Sequence, residues 1–405
     1  MKQLEMKLKY SILVIIWFFY STLFFGQIKR VNDGVDKEIA ITTKSSSTKI
    51  DESSGFKVKG TINYTIPKDL QDGIRVADAN NSNVNIKQLM KTVNEIEENN
   101  KIYKAKLDKG IPRQDLRKEG CIDSFLLYNN GELILEEYFG FSSIDKPHFQ
   151  MSITKSIASY AIGIAIDQHK IESEEDYILK YLPEIDTSRL SDNTKKIKLK
   201  DVLSMQSGIE LDKDFILSAN GKNLVSEILQ KSNTIQPGTT YKYQGVNPEI
   251  IVQILKNTTG KDMKDYVDEY LFKPLGIKDY SFDKSPNGLT KAAAGMKLRS
   301  RDMLKIGILA LQLGKYNGQQ IISKNWVKKA NDSYVDNGKH KYGYFWWTHY
   351  VDYKGTSYKI NSCRGALGQF IYVIPQCNAV AVFTSNGTRK AFSILENVVI
   401  PSIVN

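Results

Sequence analysis

Gln150-Met151-Ser152-Ile153-Thr154-Lys155 runs on as Ser156-Ile-Ala-Ser-Tyr-Ala-Ile-Gly-Ile-Ala-Ile-Asp167. A hydroxyl and an amine stand three residues apart at the head of an apolar run. Small residues and isoleucines without a polar stripe predict a helix buried on nearly all sides. Residues three apart share a helix face, so Ser152 and Lys155 point the same way. A serine hydroxyl is a poor nucleophile at neutral pH, and a lysine becomes a base only when burial or a neighbouring cation lowers its pKa. This stretch could supply both conditions, with the unpaired N–H groups of the helix start favouring negative charge beside Ser152. An N-cap serine followed by a surface lysine would read the same way, so the rest of the chain has to decide.

The chain has 405 residues, 41% hydrophobic and 25% charged, which is the composition of a globular protein with ample core. The formal net charge of +11 comes from lysines spread along the chain. There is no basic helix interleaved with aromatics, so no nucleic-acid partner is expected; cell-wall polymers or anionic lipids would attract the same charge. Three cysteines, Cys121, Cys363 and Cys377, are too few for a disulfide framework or a metal cluster, although one pair could form.

Residues 1–26 carry Lys2, Lys7 and Lys9 ahead of an apolar run from Ser11 to Phe25. That run falls short of the roughly 20 residues a bilayer span needs, which fits a secretory signal peptide, with an uncleaved anchor as the rival reading. A periplasmic or secreted protein is expected, meeting a membrane only through this segment if it stays uncleaved. Residues 27–63 read as a flexible tether and N-terminal extension, polar around Thr42 to Thr48. Short β-like pieces, notably Gly60 to Ile66, should lie against the main domain, which is placed at 64–405. A polar helix is expected over 86–98. Asn129-Asn130-Gly131 marks a hairpin between two strands in 124–139. A short helix closed by Gly208 follows Lys198, Pro248 should open a helix to about Asn257, and more helices are predicted at 262–271, 300–313 and 324–331. Three strands, 355–362, 367–374 and 379–385, precede a last helix. Strands at both ends with helices between them predict an α+β fold: one antiparallel sheet built from the two termini, flanked by helices, with a mainly helical region inserted.

The sequence contains no Gly-x-Ser-x-Gly, His-Glu-x-x-His, Cys-x-x-Cys or glycine-rich phosphate loop, and no metal or organic cofactor is expected. Of the four histidines, His148, His169, His340 and His349, none is patterned as a base for serine. His169 ends the Ser152 helix, where a cation is structurally favoured; His148 precedes that helix and is a minor candidate for lining the site. Activation of Ser152 therefore falls to a lysine and a tyrosine. Tyr243 lies on an irregular segment between Pro237-Gly238 and a helix, a setting in which catalytic groups are often displayed. Its phenol would need its pKa lowered to act as base, which an adjacent Lys155 ammonium could do. Ordinary packing is the competing reading of Tyr243 and Tyr241 among 22 tyrosines.

Order decides between these readings. Ser152-Ile-Thr-Lys155, the segment Ile197 to Gly208, Pro237-Gly-Thr-Thr-Tyr-Lys-Tyr243, Ala294 to Lys305, Tyr342-Gly-Tyr-Phe-Trp-Trp347 and Gly368-Gln-Phe-Ile-Tyr-Val-Ile-Pro375 follow one another along the chain. Together they resemble the serine β-lactamase-related family of class C β-lactamases, D-alanyl-D-alanine carboxypeptidases, family VIII esterases and 6-aminohexanoate-oligomer hydrolases. The Asp72-Gly73, Glu136 to Phe139 and Gly368-Gln369 stretches resemble the 6-aminohexanoate hydrolase branch more than the true β-lactamases. The resemblance implies a β-lactamase/transpeptidase-like fold and a serine hydrolase with Ser152, Lys155 and Tyr243 as catalytic residues.

Two departures stand out. The family's Tyr-x-Asn is Tyr243-Gln244-Gly245, which leaves Gln244 or Asn247 to bind a substrate carbonyl. The family's Lys-Thr-Gly has no counterpart in Cys363-Arg364-Gly365-Ala366-Leu367-Gly368, so efficient β-lactam hydrolysis is not expected. Arg364 either turns inward to meet a substrate carboxylate or lies on the surface. The expected reaction is cleavage of an ester or amide of a small molecule or peptide through a Ser152 acyl-enzyme. N–H groups of Ser152 and of the strand near Gly368 would hold the oxyanion, and Gln244, Asn247, Arg364, Gly365 and Gly368 would line the substrate site. The alternatives are a D-Ala-D-Ala carboxypeptidase or penicillin-binding protein, and a catalytically silent wall- or ligand-binding relative.

Overall fold

The computed structural model describes residues 55–211, 221–336 and 341–404. The expected leader, the tether up to residue 54 and His340 lie outside the described residues. The main helices are α1 (Ile86–Asp108), α2 (Ile153–Asp167), α3 (Val246–Thr259) and α4 (Ser300–Leu311). The strands that matter here are β1 (Cys121–Asn129), β2 (Glu132–Tyr138), β3 (His148–Phe149), β4 (Tyr280–Phe282), β5 (Met296–Leu298), β6 (Val335–Asp336), β7 (Lys341–Tyr342), β8 (Trp347–Tyr353), β9 (Thr356–Gly365), β10 (Gln369–Ile374) and β11 (Ala379–Asn386).

Asn130 and Gly131 both adopt positive φ, 50° and 96°, the backbone a two-residue hairpin turn requires, and so they join β1 to β2. β1 then pairs antiparallel with β11 from the far end of the chain, Leu127 opposite Ala381. The eight-stranded sheet runs β2-β1-β11-β10-β9-β8-β7-β6, as expected of a sheet built from both termini. Successive strand residues face opposite sides, and both sides are covered. Leu126, Cys363, Ile371 and Val382 pack toward α2 and α4; Phe125, Leu127, Tyr372 and Phe383 pack toward α1 and the C-terminal helices. That is why these strands are apolar without a polar alternation. Residues 153–165 of α2 are buried throughout, as their composition predicts. Gly163 permits this closeness: a Cβ there would lie 2.2 Å from Trp326 Cδ1.

Several boundaries differ from expectation. Residues 60–66 form no strand; Ile62 docks instead by its backbone N–H on Asn94 Oδ1, 2.8 Å away. Phe56 is buried as well, so packed chain begins before residue 64. α1 continues to Asp108 because Asn100 turns inward to the Ile122 carbonyl (2.7 Å) and Tyr103 and Leu107 extend the apolar face. α3 begins at Val246, two residues ahead of Pro248. The helix after Lys198 ends at Leu203, with Gly208 lying beyond it. The helix Leu224–Lys231 and strands β3 to β8 were not foreseen; most of those strands are two or three residues long, too short for a period-2 signal. All three cysteines are free thiols, so the one possible pairing is not made. Among the described residues no helix is long and apolar enough to cross a membrane.

Candidate active site

The turn before α2 is held from three sides. β3 pairs with β5, the Gln150 N–H donates to the Met296 carbonyl (2.8 Å), and the buried Gln150 amide donates to the carbonyls of His148 and Leu298 at 2.8 and 3.1 Å. Met151 takes the left-handed backbone at φ 51°, which costs a side-chain-bearing residue about 1–2 kcal/mol. The Thr154 hydroxyl secures this turn by donating to the Met151 carbonyl at 2.6 Å. The strain sits next to Ser152, where the chain enters the helix.

Lys155, one helical turn on, is 4% exposed. Its Nζ donates to Ser152 Oγ at 2.9 Å and to the Ala293 carbonyl, and lies 5.1 Å from the centre of the Tyr243 ring. Ser152 also acts on the Tyr243 phenol, opposing the loss of its acidity. The three expected catalytic side chains therefore lie together. Burial brings the Lys155 amine down to about 7, with the Glu249 carboxylate opposing that fall and the Lys291 ammonium adding to it. Burial pushes the Tyr243 phenol up to about 12, while the Ser152 side chain acts the other way. The expectation that Lys155 would make the phenol acidic is therefore corrected. The amine lies over the Tyr243 ring, and burial holds back its own charge. Of the two groups, Lys155 is the one poised to accept a proton near neutral pH.

The expected substrate-binding residues divide. Gly365, at the end of β9, sits against the turn before Ser152, and a Cβ there would lie 2.4 Å from the Gln150 carbonyl oxygen. Gly368 packs elsewhere: a Cβ would lie 2.1 Å from the Thr388 carbonyl oxygen and 2.2 Å from Ser385 Oγ. The strand end facing Ser152 is thus at Gly365, three residues before the glycine expected there, because the β9–β10 turn carries Gly368 over β11. Asn247 is wholly buried, accepting from Ser207 Oγ at 2.8 Å and facing Met205 Sδ at 3.4 Å. Its side chain is turned into the core, where it braces the loop. Gln244 is half-buried and donates to the Ile209 carbonyl at 3.2 Å.

Arg364 meets neither expectation in full. It is half-buried, so it is no surface residue, yet its guanidinium is engaged by Ser362 Oγ (2.9 Å) and His349 Nδ1 (2.8 Å) between the rings of Trp347 and Phe392. Trp347 in turn packs on Tyr243, ring centres 5.6 Å apart, so Arg364 supports the tyrosine through an aromatic ring. His148 pairs with Asp123 at 2.9 Å and lines a cavity of about 240 Å³ beside Met151 and Leu367. Sequence reasoning missed Glu249 and Ala293. Glu249 lies in the first turn of α3, where a carboxylate is ordinary, and Ala293 acts only through its peptide, which no residue type announces.

A sheet made from both chain ends, a buried Ser-x-x-Lys helix against it and a tyrosine ring beside that lysine define the β-lactamase/transpeptidase-like architecture. Residues 123–400 match the β-lactamase family profile, and the chain belongs to that family. The chain is 23% identical over 304 residues to the 6-aminohexanoate-dimer hydrolase of Paenarthrobacter ureafaciens, covering 66% of this chain and 74% of that one. Among solved structures it is similar to an octameric penicillin-binding protein homologue from Pyrococcus abyssi (TM-score 0.56, 18% identity, 70% of this chain and 75% of that one). A family VIII carboxylesterase is similar at a TM-score of 0.56 and 15% identity, over 71% of this chain and 96% of that one. The family is generally one of serine hydrolases, with esterase, amidase and penicillin-binding-protein-like relatives.

Proposed function

We propose that the chain is an exported serine hydrolase that cleaves an ester or amide bond of a small molecule or peptide through an acyl-enzyme on Ser152. The observation that carries this reading is the 2.9 Å approach of a buried lysine amine, brought down to about 7, to Ser152 Oγ. Neutral Lys155 takes the serine proton as Oγ bonds to the carbonyl carbon. The oxyanion is received at the Ser152 N–H, at the helix start, and by the strand end at Gly365. Collapse expels the alcohol or amine, which leaves with the proton from Lys155 relayed by the Tyr243 hydroxyl. Water then attacks the acyl carbonyl, Lys155 takes its proton, and Oγ regains one as the acid departs.

A neutral phenol can pass a proton without ionising, which suits a Tyr243 whose pKa is raised. Gln244 is the half-buried amide nearest in sequence to this relay and is assigned to substrate binding. The apolar run at 11–25 supports export. The engagement of Arg364 by His349 and Ser362 favours this reading over a carboxylate-gripping D-Ala-D-Ala peptidase. A fluorophosphonate probe is expected to label Ser152 in the wild type and nothing in Ser152→Ala; clean labelling at another residue overturns the assignment. Covalent capture of a fluorescent penicillin would favour the peptidase instead.

A further inference from the structure

The Lys155 amine is held by two acceptors, and only one of them belongs to the reaction. The other is the carbonyl of Ala293, in the loop that leads into β5. The same peptide segment is anchored from the opposite side: the Ala293 N–H donates to Glu249 Oε1 at 3.3 Å, and Ser285 Oγ donates to Glu249 Oε2 at 2.5 Å. Glu249 stands in the first turn of α3, six residues after Tyr243. It thus joins the helix following the tyrosine to the loop that holds the lysine. Both of its oxygens are committed to neutral donors, so its charge is left to act through space.

We propose that Glu249 is a positioning residue for the general base: it fixes Ala293, whose carbonyl holds the Lys155 amine against Ser152, and its carboxylate sets the charge that amine faces. This rests on the assignment of Lys155 as base. The groups facing Lys155 are Ser152 on its own helix, the neutral phenol of Tyr243 on the loop before α3, Glu249 on α3, and Lys291 and the Ala293 carbonyl on the loop before β5. Glu249 is the one carboxyl among them; burial raises it, and the Ser285 and Ala293 donors with the Lys291 and Lys155 amines act to keep it ionised. Removing its charge makes protonation of Lys155 less favourable, so the base stays neutral to lower pH.

Glu249→Gln keeps an acceptor for the Ala293 N–H and removes the charge. The acid limb of Ser152 labelling by a fluorophosphonate is expected to move down by about half a pH unit or more, with the thermal midpoint near that of the wild type. Glu249→Ala, which also loses the peptide anchor, is expected to slow labelling by about tenfold or more at its pH optimum. A purely structural glutamate would lower stability and leave the acid limb in place. Titration of isotope-labelled Lys155 by NMR, assigned with Lys155→Met, reads the same shift without any reaction. An NMR titration and an acid limb both unmoved in Glu249→Gln overturn the proposal. A titration that moves in a protein whose Ser152 never labels supports the coupling and rejects the hydrolase reading alone.

Discussion

Lys155 and Lys305 are both buried lysines on helices packed against the same sheet, and they are opposites in partnership. Lys155 has a hydroxyl, a carbonyl and an aromatic face around it, with its nearest anion, Glu249, already spent on neutral donors. Lys305 lies 3.7 Å from Asp302 and 3.9 Å from Asp72 and donates to the Gly276 carbonyl at 3.3 Å. Its neighbours complete a network: Arg301 grips both Glu136 oxygens at 2.7 Å and reaches Asp72, and Arg299 holds Asp302 at 2.8 Å. Burial lowers both amines, but at Lys305 two carboxylates push back. The difference teaches that burial draws a lysine far down only where no carboxylate is paired with it. One cluster ties the segment around Asp72 to β2 and α4, and the other sets an unpaired amine against a serine hydroxyl.

The largest expected effect separates the clusters by readout. Lys155→Met should slow Ser152 labelling and ester turnover by about a thousandfold, whereas Arg301→Met should lower stability by about 3–5 kcal/mol, because the buried Glu136 carboxylate loses the guanidinium that holds both its oxygens. Denaturant midpoints and active-site titration measure the two separately. An Arg301→Met protein as stable as the wild type would remove the distinction.

A smaller effect is expected at Tyr243→Phe, where labelling and turnover should fall by about a hundredfold while the activity that remains keeps an acid limb near pH 7, since Lys155 still supplies the base. In the wild type kcat/KM should climb through that same pH, because the reactive form is the neutral amine. Loss of the limb in Tyr243→Phe would move the base to the phenol.

At the strand end, Gly365→Ala should cost about tenfold in rate, since the added methyl has to displace the Gln150 peptide. Unchanged kinetics would show that the turn gives way freely.

The smallest effect has the opposite sign to most core substitutions. A lysine held at a lowered pKa binds fewer protons folded than unfolded between about pH 7 and 10.4, so wild-type stability should rise with pH across that window. Lys155→Met should therefore be more stable than the wild type at pH 6, by on the order of 1 kcal/mol. The gain should shrink toward pH 10, which thermal melts at several pH values would follow. An equally stabilising Lys305→Met would break the comparison.

Much of this was legible beforehand. The apolar run after Ser152 announced a buried helix, Asn130-Gly131 announced the hairpin, and the order of six segments identified the architecture. The strands too short for a period, the Ile62 docking and the length of α1 were not legible, because each depends on a partner distant in sequence. At the site, Ser152, Lys155 and Tyr243 were readable as types in order. Asn247 was misplaced because the start of α3 at Val246 turns it into the core toward Ser207. Arg364 could be read two ways because its environment comes from β8 and the C-terminal helix.

The sequence by itself determined which groups are present for chemistry: a serine and a lysine on one face of a helix with no room for solvent, and no histidine patterned to serve them. Helical geometry and hydrophobicity are local properties, and three-residue spacing suffices to pair two side chains. Only the tertiary structure decided in which direction the Lys155 amine and the Tyr243 phenol are displaced, the one down and the other up. That depends on desolvation and on where each charge lies in space, and the groups involved, Glu249, Lys291 and the Ala293 peptide, come from loops and helices far along the chain.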